Sequence, residues 1–124
     1  MLLLNKTKKT VLFDHDPEWA LSSWRQARGF MFAKPMHRCM VFLFFPSQRI
    51  RLHMMFVFAP IDVLVLDGTG KVIALKEHFR SWTYWDSGVV GSAVIELPRG
   101  VLAKTKTCLG DIVVLPKQSV TIHK

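Results

Sequence analysis

Two carboxylates inside apolar segments are the residues of this sequence best suited to chemistry. Asp62 lies in the apolar stretch 56–66, and Glu96 stands between Ile95 and Leu97. An ionised carboxylate in apolar surroundings is unfavourable unless it is paired or hydrogen-bonded, so each of the two needs a partner. They could also line one pocket and act as acid and base, although nothing in the sequence fixes the distance between them.

Two arginines are the candidate partners of Asp62, and His53 is a candidate pocket-lining donor. Arg25 and Arg28 occupy the last turn of a predicted helix and could pair with Asp62 through charge-assisted hydrogen bonds. The alternative for Asp62 is a carboxylate that pins the bend near Pro60 or bonds to backbone amides, and the alternative for Glu96 is a solvated or capping carboxylate. The predicted ligand site consists of Arg25, Arg28, His53, Asp62 and Glu96.

The segment 78–85 has the most unusual local composition, with four aromatic side chains, one arginine and one histidine in eight residues. A loop of this kind can stack on bases or sugars while its arginine supplies charge, as in proteins that bind single-stranded nucleic acid. Dense aromatics are equally typical of a lid packed over the core, and both interpretations stay open. The candidate stacking residues are Phe79, Arg80, Trp82, Tyr84 and Trp85.

Metal binding and nucleophilic catalysis find little support in the sequence. A structural zinc site needs four ligands at paired spacing, whereas His37 and Cys39 lie close together and His53 lies far away. Neither Cys39 nor Cys108 starts a helix or follows a recognisable base, so a Cys–His catalytic pair is not indicated. We expect no metal, no cofactor and reduced thiols. An enzyme is disfavoured, and whether the two cysteines pair is left open.

Charge and length bound the possible partners. Seventeen Lys and Arg against nine Asp and Glu give a formal charge of +8, which attracts phosphates and acidic partners. The basic residues are scattered, with small clusters at 6–9, 49–51 and 104–106, so they fit either a solvated surface or an anion-facing patch. The 124 residues predict one domain over 1–124.

The hydropathy pattern argues against a membrane protein. The longest apolar runs have seven residues (39–45) and eight residues (54–61), well below the ~18 that a membrane-spanning helix needs. The opening residues 1–6 lack the basic and apolar regions of a signal peptide. We therefore expect a cytoplasmic protein with no membrane partner, of undetermined oligomeric state.

One helix is predicted near the N-terminus. Asp16 is its N-cap, Pro17 takes its first position, and Gly29 stands just past its end. Residues 2–13 before it indicate a strand, a turn and a second strand. Residues 98–110 are interpreted as either a helical turn or a loop.

The rest of the chain has the pattern of an all-β domain. β-branched and aromatic segments are separated by Gly or Pro, including a turn predicted at 46–48. The predicted fold class is mainly β, a small β-sandwich or partly closed barrel with the N-terminal helix packed on it. Its strands are expected at 39–45, 50–57, 61–66, 71–77, 91–97, 111–115 and 119–123.

Six short motifs stand in a fixed order along the chain: Arg28-Gly29-Phe30-Met31, His53-Met54-Met55-Phe56-Val57, Ala59-Pro60-Ile61-Asp62-Val63, Leu66-Asp67-Gly68-Thr69-Gly70, Val94-Ile95-Glu96-Leu97-Pro98-Arg99-Gly100 and Leu109-Gly110-Asp111. Their order and spacing resemble one family, the domain of unknown function 192 family, also called uncharacterised protein family 0127. The resemblance covers residues 25–115 and implies a small, mostly β fold with a packed helix. It implies no activity, because the family has none assigned. At the second motif the family has Trp-Met-Lys-Asn-Thr, so this chain lacks two of the family's polar residues.

Three functions remain compatible with these observations. The first is a binding module for a small polar or anionic ligand, built on the five predicted site residues. The second is a nucleic-acid-binding module that uses the basic surface and the aromatic segment. The third, held lowest, is an enzyme that uses Asp62 and Glu96 as its acid and base.

Overall fold

The computed structural model describes residues 2–20, 38–53, 60–80 and 82–116. These residues form eight β-strands and one short helix. In chain order the elements are β1 (Leu3–Asn5), β2 (Thr10–Phe13), β3 (Glu18–Ala20), β4 (Met40–His53), β5 (Ile61–Leu66), β6 (Val72–Phe79), β7 (Tyr84–Pro98), α1 (Val101–Thr105) and β8 (Val113–Val114).

The strands form two sheets of unequal size. The large sheet has the order β3-β4-β7-β5-β6, with β3 parallel to β4 and the other neighbours antiparallel. The small sheet has the order β2-β1-β8, so β1 pairs both with the next strand and with a strand near the other end of the chain. The mainly β prediction is confirmed, and over the described residues the sheets do not close into a barrel.

The large sheet carries an apolar core on each face. The large sheet is curled, and one core, the interior core, lies inside the curl and includes Phe42, Val63 and Val94. The other lies between the large sheet and the small sheet with α1, and it includes Leu3, Leu64 and Leu102. β5 is buried on both faces along its whole length, as its uninterrupted run of apolar residues requires.

The curl begins where the long pair of antiparallel strands β4 and β7 bends. The pairing breaks after Leu43↔Ala93 and resumes at Gln48↔Gly91, so four residues of β4 stand opposite one residue of β7. Pro46 falls within this bulge because it has no N–H to give to the ladder. The turn predicted at 46–48 is therefore wrong, since β4 runs through it as one strand.

Gly91 lets the bent β4–β7 strand pair approach β5 closely. A Cβ at this position would lie 2.5 Å from Val65 Cγ1 and 3.0 Å from Ile50 Cγ1. Beyond this contact the β4–β7 strand pair turns back over the interior core. The ring of Trp85 there meets that of Phe79 edge-on, with 6.3 Å between the ring centroids. The returning start of β7 thus comes to lie beside the end of β6.

The predicted N-terminal helix is wrong at its start. Glu18–Ala20 form β3, which pairs in parallel with the start of β4. Glu18 accepts two hydrogen bonds from Arg38, at 2.7 and 2.6 Å, and Trp19 packs against the second core. These partners are distant in sequence and outweigh the local capping signals. Residues 21–28 of the predicted helix lie outside the described residues.

The remaining strand predictions agree in part. The N-terminal hairpin and 61–66 are confirmed, 91–97 falls inside the longer strand β7, and 71–77 overlaps β6, which begins at Val72. Only two residues of 111–115 are strand, and 119–123 lies outside the described residues. The helical-turn alternative for 98–110 is correct, because α1 forms there. No helix among the described residues has the length and apolar character to cross a membrane.

Gly91→Ala should destabilise the fold by about 1–3 kcal/mol, because the new methyl group overlaps side chains of β4 and β5. Gly68→Ala is the matched control. Its added Cβ would meet only Ser92 Oγ at 3.7 Å, so its free energy of unfolding should change by less than about 0.5 kcal/mol. Urea denaturation measures both variants, and equal midpoints would contradict the proposed tight contact at Gly91.

Candidate functional site

Asp62 is buried and is held by three backbone amides. Its Oδ1 accepts a hydrogen bond from the N–H of His78 at 3.0 Å. Its Oδ2 accepts from the N–H groups of Gly100 at 3.0 Å and Leu102 at 2.9 Å. These donors belong to the end of β6 and the first turn of α1, so one carboxylate from β5 joins three elements. Backbone amides, one of the two predicted kinds of partner, therefore satisfy this side chain.

The predicted pairing of Asp62 with arginine is not decided by these contacts. Arg25 and Arg28 both lie outside the described residues, so their role at a ligand site stays a prediction. His53 is the last residue of β4 and pairs with Tyr84, the first residue of β7.

Glu96 lies on the opposite face of the sheet from Asp62. Asp62 pairs with Leu97, whereas Glu96 pairs with Val63 and Met40, and paired residues share a face. Asp62 therefore points toward the core that contains Leu64, and Glu96 points into the interior core. The two carboxylates do not line one pocket, which removes the geometry on which an acid–base pair would depend.

The carboxyl group of Glu96 has no partner for its buried oxygen. Glu96 is 7% exposed, and within the part of the chain that is described its Oε1 makes no hydrogen bond. Desolvation raises the pKa of Glu96 from 4.5 to about 8. Glu96 is therefore a neutral carboxylic acid at pH 7, which relieves the cost of a buried charge.

The aromatic segment divides between packing and exposure. Phe79 is buried and Trp85 is half-buried against it, as expected for a lid. Trp82 and Tyr84 remain 57% and 63% exposed. Arg80 is exposed as well. Both interpretations of this segment are thus represented in one turn, and stacking on a ligand stays a prediction for the exposed members.

A polar cluster that was not predicted lies at the small-sheet end of the molecule. Asp111 is 3% exposed and accepts hydrogen bonds from Asn5 Nδ2 at 2.9 Å and from Lys8 Nζ at 2.9 and 3.1 Å. Lys8 Nζ also donates to Cys108 Sγ at 3.0 Å, and Asn5 Nδ2 donates to Thr107 Oγ1 at 2.9 Å. We call this group the Asp111 cluster: Asn5, Lys8, Thr107, Cys108 and Asp111.

The charges in this cluster stabilise one another. Burial alone would raise the pKa of Asp111, but hydrogen bonds from Asn5, Lys8 and Cys108 outweigh it and hold the pKa well below its usual value. The hydrogen bonds of Lys8 to Cys108 and to Asp111 raise the pKa of the lysine. The cluster is therefore a fixed ion pair with a thiol beside it.

The sequence concealed this cluster because its two halves are 106 positions apart between Asn5 and Asp111. Each half left a signal: a polar turn at 5–9 and the Leu109-Gly110-Asp111 motif. Pairing of β1 with β8 brings the two together. Only knowledge of that pairing could have joined them.

A contact between β2 and α1 joins two segments that carry lysines. Thr10 Oγ1 donates to the carbonyl of Thr105 at 3.1 Å, which places Lys9 next to the residues that flank Thr105. We call this surface the lysine end. Its members are Lys6, Lys8, Lys9, Lys104 and Lys106, all exposed except the half-buried Lys8.

A groove of about 670 Å³ opens beside the lysine end. It lies between β6 and the returning start of β7, where the curled sheet stays open, and we call it the seam groove. Cys108 lines it at one end, and Trp85 lines it from β7. Its lining residues are Ile73, Ala74, Leu75, Glu77, Trp85, Ser87, Thr107, Cys108 and Leu109. Among the described residues no three His, Cys, Asp or Glu side chains are grouped so that they could hold a metal ion.

Asp62→Asn should lower the free energy of unfolding by about 1.5–3 kcal/mol, because an amide replaces a charged acceptor of three N–H groups. Asp67→Asn is the matched control. Asp67 accepts hydrogen bonds from Thr69 and Lys71 in an exposed turn, so water can replace them. Denaturant titration of both variants is the measurement, and an Asp62→Asn effect no larger than the control's would refute the structural role.

Glu96 should make the protein less stable as the pH rises from about 4.5 to about 8. Over this range the folded state holds a proton on Glu96 that the unfolded state has lost, so the free energy of unfolding falls with pH. Glu96→Gln should flatten this slope and be more stable than the parent protein at pH 9. Denaturation from pH 5 to 9 tests it, with the exposed Glu77→Gln as control, and a parent slope that survives in Glu96→Gln would count against the assignment.

Comparison with known proteins agrees with the architecture. The family model of domain of unknown function 192, an uncharacterized ACR, matches residues 4–115. A UPF0127 protein of Thermococcus sibiricus is 30% identical over 112 residues, which are 89% of this chain and 71% of the relative. A UPF0127 protein of Thermococcus gammatolerans is 27% identical over 114 residues, 90% of this chain and 73% of that relative.

Two solved structures share the fold. A protein of unknown function from Novosphingobium aromaticivorans has a TM-score of 0.79 at 24% identity, covering 91% of this chain and 82% of that one. A putative transcription regulator from Sinorhizobium meliloti has a TM-score of 0.78 at 21% identity, covering 91% and 89%. With the family model matching most of its length, the chain belongs to the domain of unknown function 192 family, whose curated members carry the name UPF0127.

Proposed function

We propose that this protein is a binding module for a small organic anion, held where the lysine end meets the seam groove. The observation that carries the proposal is the contact of Lys8 with Cys108, which lines an open groove, together with the hydrogen bond that joins the lysine-bearing segments 6–9 and 104–106. The expected ligand class agrees with the sequence prediction, but the proposed site differs from the five predicted residues.

The charge at the lysine end is available to a ligand. Lys8 is neutralised by Asp111. In the described ranges no Asp or Glu forms an ion pair with Lys6, Lys9, Lys104 or Lys106. Four uncompensated ammonium groups on one surface attract phosphate or carboxylate groups. An anionic group is therefore expected at this end of the groove.

The groove itself suits an uncharged, flat body. Leu75 and Leu109 offer apolar contact, and the half-buried ring of Trp85 offers a surface for stacking. Glu77 lies four positions beyond Ile73 on β6, roughly 13 Å along the strand. Its carboxylate disfavours a second negative charge at that end. The geometry thus supports a ligand with one anionic end and one neutral end.

Single-stranded nucleic acid is the second candidate, favoured by the position of the exposed aromatics. Trp82 and Tyr84 lie just before Trp85 in the sequence. A nucleic-acid strand in the groove would therefore run from the lysine end toward these exposed aromatic side chains. Stacking on aromatic side chains combined with a basic surface is how such strands are bound.

AMP should bind more tightly than adenosine, because only AMP carries the anionic group. Replacing two exposed lysines (Lys6→Gln with Lys104→Gln) should weaken AMP binding about tenfold if each contact contributes about 0.7 kcal/mol. Arg99→Gln removes an exposed charge outside the lysine end and should leave AMP affinity unchanged. Isothermal titration calorimetry measures all four affinities.

Two results would overturn the small-anion proposal. One is equal affinity for AMP and adenosine, and the other is an unchanged AMP affinity in the double lysine variant. If AMP does not bind but an eight-residue oligothymidylate binds with a steep salt dependence, the second candidate replaces the first. In that case Tyr84→Ala should also weaken oligonucleotide binding.

A further inference from the structure

The two cysteines of the chain lie in opposite environments. Cys39 is buried in the second core, and desolvation raises the pKa of its thiol. Cys108 is exposed, lines the seam groove and belongs to the Asp111 cluster. Any thiol chemistry of the folded protein therefore falls on Cys108.

The neighbours of Cys108 prepare its sulfur for reaction. Lys8 Nζ donates to Cys108 Sγ at 3.0 Å and is itself fixed by Asp111. Lys8 thus places an ammonium donor against the sulfur, where it can stabilise the negative charge that sulfur carries as a nucleophile. The Cys108 S–H group also donates a hydrogen bond to Asp111 Oδ1 at 3.4 Å. Cys108 is thus part of a three-group constellation at the mouth of a groove.

We infer that Cys108 is a site of thiol–disulfide exchange with small anionic disulfides, which the lysine end attracts. The inference rests on the proposed function, since the same cations would hold the anionic reagent. The Cys108 thiolate attacks one sulfur of the disulfide, a new S–S bond forms, and the old S–S bond breaks. The second half leaves as a thiolate, so no outside oxidant or reductant is required.

The exchange would regulate the anion site. The group attached to Cys108 would occupy the seam groove, and its negative charges would neutralise the lysine end. AMP binding should then be lost while the mixed disulfide persists and return when a reducing agent removes it. The modification would act as a reversible block on the proposed ligand site.

The rate of adduct formation, followed by intact-protein mass spectrometry, tests the inference. The probes are oxidised glutathione, which is anionic, and cystamine, which is cationic. Each rate is divided by the rate at which free mercaptoethanol attacks the same disulfide. On this scale oxidised glutathione should react with the protein about tenfold faster than cystamine at low salt. The preference should fall toward unity in 1 M NaCl, where charges are screened.

Variants separate the thiol chemistry from the anion site. Cys108→Ser should form no adduct, and Cys39→Ala should react like the parent protein. Lys8→Met should slow both disulfides about equally, whereas Lys8→Arg, which keeps the charge and the fold, should retain most of the rate. Lys6→Gln with Lys104→Gln should remove only the preference for glutathione disulfide.

Each failure has its own signature. If Cys108 reacts no faster than mercaptoethanol predicts and Lys8→Met changes nothing, the thiol inference is wrong even if AMP binds. If Lys8 accelerates both disulfides equally at every salt concentration, the thiol is activated but the anion site is refuted. An adduct on Cys39 of the folded protein would overturn the assignment to Cys108.

Discussion

The fold depends on one buried carboxylate. Asp62 leaves β5 between two core residues and accepts hydrogen bonds from the end of β6 and the start of α1. The Leu102 amide is buried and needs an acceptor there, whereas the amides of His78 and Gly100 lie nearer the surface, and a carboxylate satisfies all three at once. The position of α1, and with it the loop 107–111, follows from this contact.

That loop connects the core to the proposed site. From α1 the chain passes Thr107 and Cys108 and reaches Asp111, which holds Lys8 from the other end of the chain. The seam groove exists because the β4–β7 strand pair bends near Gly91, yet the start of β7 does not close against β6. A binding surface therefore forms where two incomplete closures meet: the open edge of the curled sheet and the end of the small sheet.

Much of the architecture followed from local patterns in the sequence. The period of two along a strand puts Asp62 on the face of Leu64 and Glu96 on the face of Val94. Strand 61–66 was predicted at its observed bounds because Pro60 and Asp67 delimit it. The start of the helix expected at Asp16 failed because Glu18 and Trp19 find distant partners in Arg38 and the core.

The proposed site was hidden for a related reason. No local pattern predicts that Asn5 meets Asp111 or that Thr10 meets Thr105, because these neighbours are about a hundred positions apart in sequence. Likewise, the opposite faces of Asp62 and Glu96 follow from the register between β5 and β7. Sequence supplied the residue types, and long-range strand pairing decided which of them could act together.

The central place of β1 in the small sheet has a consequence for biosynthesis. β1 leaves the ribosome well before its second partner, β8. The Asp111 cluster cannot assemble until residues 107–114 have emerged, so the lysine end forms only after the strands between its two halves are made. Such distant pairing slows folding, and the early hairpin must wait with one edge unpaired, open to association with other nascent chains.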